Sequence, residues 1–420
     1  MSKKSDVVPV VIPLSAHLDG PTLIGTARGL GREGVPVHVI ACGKYPIART
    51  SRYIKSLKTF PSDQPDTVWQ AELESLLQKI VGQFSEPVKP LLFFCTENDI
   101  YRFSSMREFL ESRFELVPSF SEVLGFLEKD AQLPVASQAG FLVPVSMRLD
   151  SKSDLLRMVE LLRFPVIVKP LARHTIGVFD HKALIIDSPE TLETAIGRYL
   201  DKPPTALIAQ EYVVGTDNDI LIFMGSSDKE GNIRSFVTGR KLRQNPPHHG
   251  MMACGYIEEL SGLETRAKEL CKLYKINGFI GIECKCPTGT EDYFYIETSF
   301  RPEIFNEMSA GVGVNLVFDV YTSKLGKTCS TKRTAKNGSW YDLFTDWDSI
   351  QTQVRKGESS WSVFFKKLPR PITYSHFAFD DPLPFFARLL IRIKEKFTNL
   401  LSKYTIKKST TKNLPKPDKS

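Results

Sequence analysis

YIETSFRP, residues 295–302, sets Glu297, Ser299 and Arg301 two residues apart behind aromatic and β-branched neighbours. Side chains of an extended chain alternate, so these three share one face. The preceding GFIGIECKC (278–286) and PTGTED (287–292) complete a hairpin; a five-residue loop at 288–292 puts Glu283 directly opposite Glu297, and a four-residue loop shifts this by one. Two facing carboxylates in a half-buried sheet repel each other unless a cation lies between them. Mg²⁺ takes one or two protein carboxylates and fills its shell with water and phosphate oxygens, so the pair reads as the seat of a metal-bound triphosphate. Ser299 would add an oxygen, and Arg301 would neutralise a transferred phosphate or a reacting carboxylate. The competing reading is a solvated sheet face on which Glu283, Lys285, Glu297 and Arg301 form cross-strand ion pairs.

The rest of the chain changes class midway. VVPVVIPL (7–14), VPVHVIA (35–41) and PLLFFC (90–95) are short β-rich runs, and the helically spaced GPTLIGTARGLGREG (20–34) joins the first two. That is a βαβ pattern and predicts a parallel sheet. The loop HLDGPTLIG (17–25) is not a dinucleotide fingerprint and reads as a tight strand-to-helix turn. From about residue 205 to 300, alternating segments joined by turn residues predict antiparallel sheet, giving an α/β part followed by an α+β part. FPVIVKP (164–170) ends an apolar strand on Lys169, placed either to snorkel at a sheet edge or to reach a phosphate. AQEYVVGTDND (209–219) follows a buried strand with polar groups and a glycine, as suits a hinge that reads a planar base.

Composition sets the limits. The 420 residues suffice for two or three domains. Seven scattered cysteines, with no CxxC pair, read as reduced thiols of a cytoplasmic protein. The CxC pair Cys284 and Cys286 has no second pair to complete a zinc site. The N-terminal apolar run is broken by Asp6, Pro9 and Pro13, so it reads as a first strand rather than a signal peptide. The formal charge of +7 is concentrated after residue 380, which leaves the body nearly neutral and argues against nucleic-acid binding.

In order along the chain, a lysine-bearing helix, PVIVKP, QEYVVGTD (210–217), GRKLRQNPP (239–247), GIE (281–283) and IETSFRP resemble the ATP-grasp superfamily over roughly residues 7–325. Within it the chain is most similar to carboxylate–amine ligases akin to D-aspartate ligase and to the carbamoyl-phosphate synthase large subunit. The resemblance implies a Rossmann-like domain at 1–120 ahead of an ATP-grasp domain at 121–330, whose two antiparallel sheets enclose ATP around a hinge near 205–215. It implies Lys129 and Lys169 at the phosphates, Gln210, Glu211 and Val213 at the base, and Asp217 at the ribose. Glu283, Glu297 and Ser299 would hold Mg²⁺ or Mn²⁺, and Arg301, with Lys241 and Arg243, would carry the chemistry. The implied reaction activates a small-molecule or peptide carboxylate as an acyl phosphate and joins it to an amine. Ser299 stands where the family has Asn, a weaker and shorter ligand. The loop LARHTIGVFD (171–180) lacks the family's glycines, with Arg173 and His174 offering charge instead. These departures keep open a second reading, a degenerate ATP-binding scaffold.

Further along, Lys241 and Arg243 alternate in GRKLR and are expected on one face. His248 and His249 could border the substrate, and Gly313 and Asn315 could start a helix facing the cleft. Residues 331–382 read as a small extension packed on the core, 383–405 as an amphipathic basic helix, and 406–420 as a disordered tail. The helix either docks on the body or lies on an anionic membrane as a peripheral contact. A homodimer is compatible with the sequence.

Overall fold

The computed structural model describes residues 7–14, 20–43, 47–60, 66–84, 89–172, 179, 181–201, 206–328, 334–365 and 368–412, with backbone only at 66–67 and 399–412. The first unit is a parallel sheet in the order β3-β2-β1-β4-β5, formed by β1 (Val10–Leu14), β2 (Val37–Cys42), β3 (Ile54–Phe60), β4 (Leu91–Phe93) and β5 (Glu115–Val117). All five residues of β1 are buried, because a parallel sheet is covered on both faces. The helix Pro21–Gly31, entered through a proline that cannot donate a helical hydrogen bond, packs on one face with the distant helix Leu316–Lys324. The order reverses between β1 and β4, so the carboxyl ends of those strands open a crevice of the kind that binds ligands.

A four-stranded antiparallel sheet follows, in the order β6-β9-β7-β8, from β6 (Ser146–Leu149), β7 (Val166–Pro170), β8 (Leu184–Ile186) and β9 (Leu207–Glu211). It has a core of its own, with Leu149, Met158, Val166, Val168, Leu207 and Ala209 buried together. Strand alternation leaves Ile167 and Lys169 of β7, and Gln210 of β9, on the opposite face.

The third layer is a seven-stranded sheet in the order β14-β13-β10-β11-β12-β15-β16. Its strands are β10 (Ile220–Ser227), β11 (Ile233–Asn245), β12 (Met251–Ile257), β13 (Gly278–Lys285), β14 (Phe294–Ser299), β15 (Ser339–Tyr341) and β16 (Ile372–Tyr374). One face shares a continuous core with the parallel sheet, through Phe94, Phe120, Phe223, Ile280, Ile282 and Phe300, so these two layers form one body. The segment 331–382 contributes two of these strands. Its strands β15 and β16 lengthen this sheet by covering the outer backbone edge of β12, which would otherwise be an open row of hydrogen-bonding groups. Asn315 does cap a helix, but that helix start packs on Gly29, whose carbonyl takes the Asn315 amide at 2.8 Å, and not on a cleft.

Candidate active site

Between the four-stranded sheet and the β13–β14 side of the large sheet lies a cleft with a cavity volume of about 140 Å³. Lys129, Lys169, Gln210, Glu211, Val213, Glu283 and Glu297 all line it, seven residues drawn from segments as far apart as residues 129 and 297. Lys169 reaches it because Val166 and Val168 are anchored in the small core. Desolvation in the cleft lowers the Lys169 pKa below that of an ordinary lysine, against the pull of Glu297 and Glu283. The Lys129 ammonium donates to the Pro170 carbonyl at 3.0 Å, which ties it to the end of the Lys169 strand.

The Gln210–Val213 segment presents edges suited to a heterocycle. Gln210 is buried, and its amide nitrogen donates to Ser146 Oγ at 2.8 Å, which orients its carbonyl oxygen as the remaining acceptor. The Glu211 and Tyr212 N–H groups bond the Val145 and Pro165 carbonyls, and Val213, next along the chain, lines the cleft. Gly215 then turns the chain at φ +145°, where a Cβ would meet Asp219 and the Lys285 side chain. The Lys285 ammonium fills that space, donating to the Gly215 carbonyl at 3.0 Å and lying 4.9 Å from the centre of the Tyr212 ring.

Glu283 pairs across from Glu297. The register arrives by a route the loop length does not reveal: Lys285 pairs Phe294 and Cys284 pairs Tyr295, and a bulge at Ile296 then brings Glu297 opposite Glu283. Lys241 already answers part of the resulting repulsion. Its ammonium is buried and lies 2.6 Å from Glu283 Oε2. The donor set fits a magnesium ion: two hard carboxylates on one wall, with lysines nearby for the phosphates that would complete its shell. Among the described residues no cluster of three His, Cys, Asp or Glu side chains forms, so a bound metal would draw on these two carboxylates, phosphate and water.

Four more expected site residues are engaged with the protein itself. Arg243 does not share a face with Lys241. The extra residue Leu242 bulges between their pairs, Lys241 with Gly255 and Arg243 with Cys254, so alternation fails and Arg243 turns to the far side. There it meets the buried Asp346 in a two-point ion pair at 2.6 and 2.9 Å. Asp217, expected at the ribose, accepts from the Gln244 N–H, the Gln244 side-chain amide and the His248 N–H at 2.9–3.0 Å, pinning the β11–β12 turn. Ser299 donates its hydroxyl to Glu303. Arg301 is buried between Glu97 and Glu303, each 2.9 Å away. Glu97 begins a helix just past the carboxyl end of β4 and, with Lys129 and Glu297 of the cleft, lines a small second pocket.

Lys182, Lys285, Gln244, His248 and His249 also line the cleft. Alternation from Glu283 signals Lys285, but Lys182, Glu97 and Glu303 carry no local pattern, because distant strands bring them in. Arg173, His174 and residues 17–19 lie outside the described residues.

No family model and no curated protein matches the sequence. In fold the chain is similar to N5-carboxyaminoimidazole synthetase from Staphylococcus aureus complexed with ADP, at TM-score 0.62 and 11% identity over 84% of this chain and 88% of that one. It is also similar to a biotin carboxylase–β,γ-ATP complex from Campylobacter jejuni, at 0.59 and 12% over 78% and 74%, and to L-amino acid ligase from Bacillus licheniformis, at 0.55 and 14% over 76% and 74%. At these identities the likeness is one of architecture, and the architecture is that of the ATP-grasp fold.

Proposed function

We propose that this ATP-grasp chain is an ATP-dependent, ADP-forming ligase that joins a carboxylate to an amine. The observation that carries the reading is the Glu283–Glu297 pair facing across β13 and β14 in a cleft that also holds Lys129 and Lys169. The fold neighbours support it: one is named a ligase of L-amino acids, and another was solved with ADP.

In this reading Gln210 accepts from the amino group of a purine and the Val213 amide donates to its ring. Lys129 and Lys169 neutralise the phosphates, and Glu283 and Glu297 would hold Mg²⁺, which when bound would supply charge neutralisation at the phosphoryl group. A carboxylate oxygen of the acid substrate attacks the γ-phosphorus, and the bond from that phosphorus to the bridging oxygen breaks, giving ADP and an acyl phosphate. The amine lone pair then attacks the acyl carbon, the carbon–oxygen bond to phosphate breaks, and the ammonium proton passes to solvent. Arg301 stands beside Glu97 at the mouth of the parallel-sheet crevice, where an acid or acceptor would enter. The protein supplies positioning and charge; the walls of the cleft keep water from the activated intermediate.

The second reading, a nucleotide-binding scaffold, is favoured by two contacts: Ser299 bonded to Glu303, and Arg301 held by two carboxylates. Incubation with ATP, Mg²⁺ and a panel of amino acids separates them. Release of ADP that depends on both an acid and an amine, and that Glu297→Gln abolishes, supports the ligase. Tight ATP binding with no ADP release under any pairing overturns it in favour of the scaffold.

A further inference from the structure

The helix Leu383–Lys412 packs on the body through its first turns. At its start Pro384 is buried, Phe385 stacks on Phe344 at 5.6 Å, and Arg392 pairs with Asp348. Beyond Arg392 every described side chain, from Ile393 to Thr398, is exposed. Leu383, Phe386, Leu390, Ile393 and Phe397 recur at intervals of three and four, which places them in one stripe along the helix, and they are 58, 51, 67, 43 and 63% exposed. Phe379, 94% exposed just ahead of the helix, extends the apolar surface to an aromatic cleft beside Tyr374, Phe377 and Arg370.

Charge identifies what covers this stripe. The helix carries eight Lys or Arg and one acid, Glu395, a net +7, which equals the charge of the whole chain; the remaining residues hold 47 basic and 47 acidic groups and sum to zero. A second copy of the helix would bring two such charges together along the seam. An anionic bilayer takes the apolar side chains into its headgroup boundary and the lysines onto its surface. No described helix is long and apolar enough to cross a membrane; a basic helix with one apolar stripe binds a bilayer by lying in the plane of its interface. We infer that this helix docks the protein on an anionic lipid surface, whatever reaction the cleft performs.

Flotation of the full chain with vesicles tests this. Binding is expected to phosphatidylcholine vesicles containing about a third phosphatidylglycerol and not to pure phosphatidylcholine, with affinity reduced about tenfold or more by Lys394→Glu with Lys396→Glu. The variant Phe386→Ser, Leu390→Ser, Phe397→Ser should lose binding as well. All of these positions are exposed, so thermal stabilisation by an ATP analogue serves as the control for folding and should not change. Failure to float with anionic vesicles, or flotation that both variants leave intact, overturns the inference. So does a dimer in light scattering that the Ser substitutions dissolve, because the stripe then belongs to a second copy.

Discussion

At the scale of the single residue, opposed demands on one side chain separate binding from stability. Lys169 has its pKa lowered by desolvation, which means the folded protein holds its ammonium at a cost that only a ligand's negative charge offsets in full. Lys169→Met should therefore weaken ATP binding by roughly tenfold or more while leaving the melting temperature of the nucleotide-free protein unchanged or raised, as calorimetric titration and thermal unfolding would report. Arg301 behaves in the opposite sense. Its charge is matched by Glu97 and Glu303 at 2.9 Å, so Arg301→Met strands two carboxylates in a buried site and should cost about 3–5 kcal/mol in urea unfolding even without substrate. If Arg301 also meets the reacting carboxylate, Glu97→Gln, which frees one of its bonds, should change KM for the acid more than it changes stability.

Single elements show why some of the site is legible in the sequence and some is not. β7 and β9 keep strict alternation, so Val166 and Val168 announce that Lys169 faces the other way, and the same logic assigns Gln210. β13 is equally regular, and Glu283 was legible from it. The irregular strands carry what alternation cannot convey: a bulge at Ile296 rescues the Glu283–Glu297 pairing, and a bulge at Leu242 sends Arg243 away from Lys241. Bulges depend on how a strand must twist between two neighbours, information that lies in the partner strands and not in the local pattern. The Arg243–Asp346 contact spans 103 residues and had no local signal. It gives a direct test. Arg243→Met and Asp346→Leu should each destabilise by about 3–5 kcal/mol, because each leaves a buried charge alone, whereas the double variant should recover most of that loss. ATP affinity of the folded fraction should be unchanged in all three, since this pair lies on the far side of the sheet from the cleft.

For the whole molecule, the C-terminal strands and the first domain are locked together by charge. Arg28, fully buried, donates to Asp381 at 3.1 Å and to the carbonyls of His376 and Asp381 at 2.7 and 3.0 Å, and Ser51 and the Arg52 N–H complete the Asp381 carboxylate. Beside it Arg32 and the Tyr53 hydroxyl hold Asp380 at 2.8 and 2.7 Å. This clasp closes the chain over more than 300 residues and sets the direction in which the basic helix leaves the body. The hydrogen bond from Arg32 pushes the Asp380 pKa well below the ordinary carboxylate range. A depressed carboxylate adds stability that is fully present above its unfolded pKa, about 3.9, and disappears as the pH falls through the folded value. Asp380→Asn should therefore lower the melting temperature at pH 7, only modestly because the side chain is 41% exposed, and the gap from the unsubstituted protein should close progressively below about pH 4. A gap that stays constant down to pH 3 would mean that the Asp380 charge adds nothing to the clasp, leaving Arg28 and Asp381 to hold the two ends of the chain together.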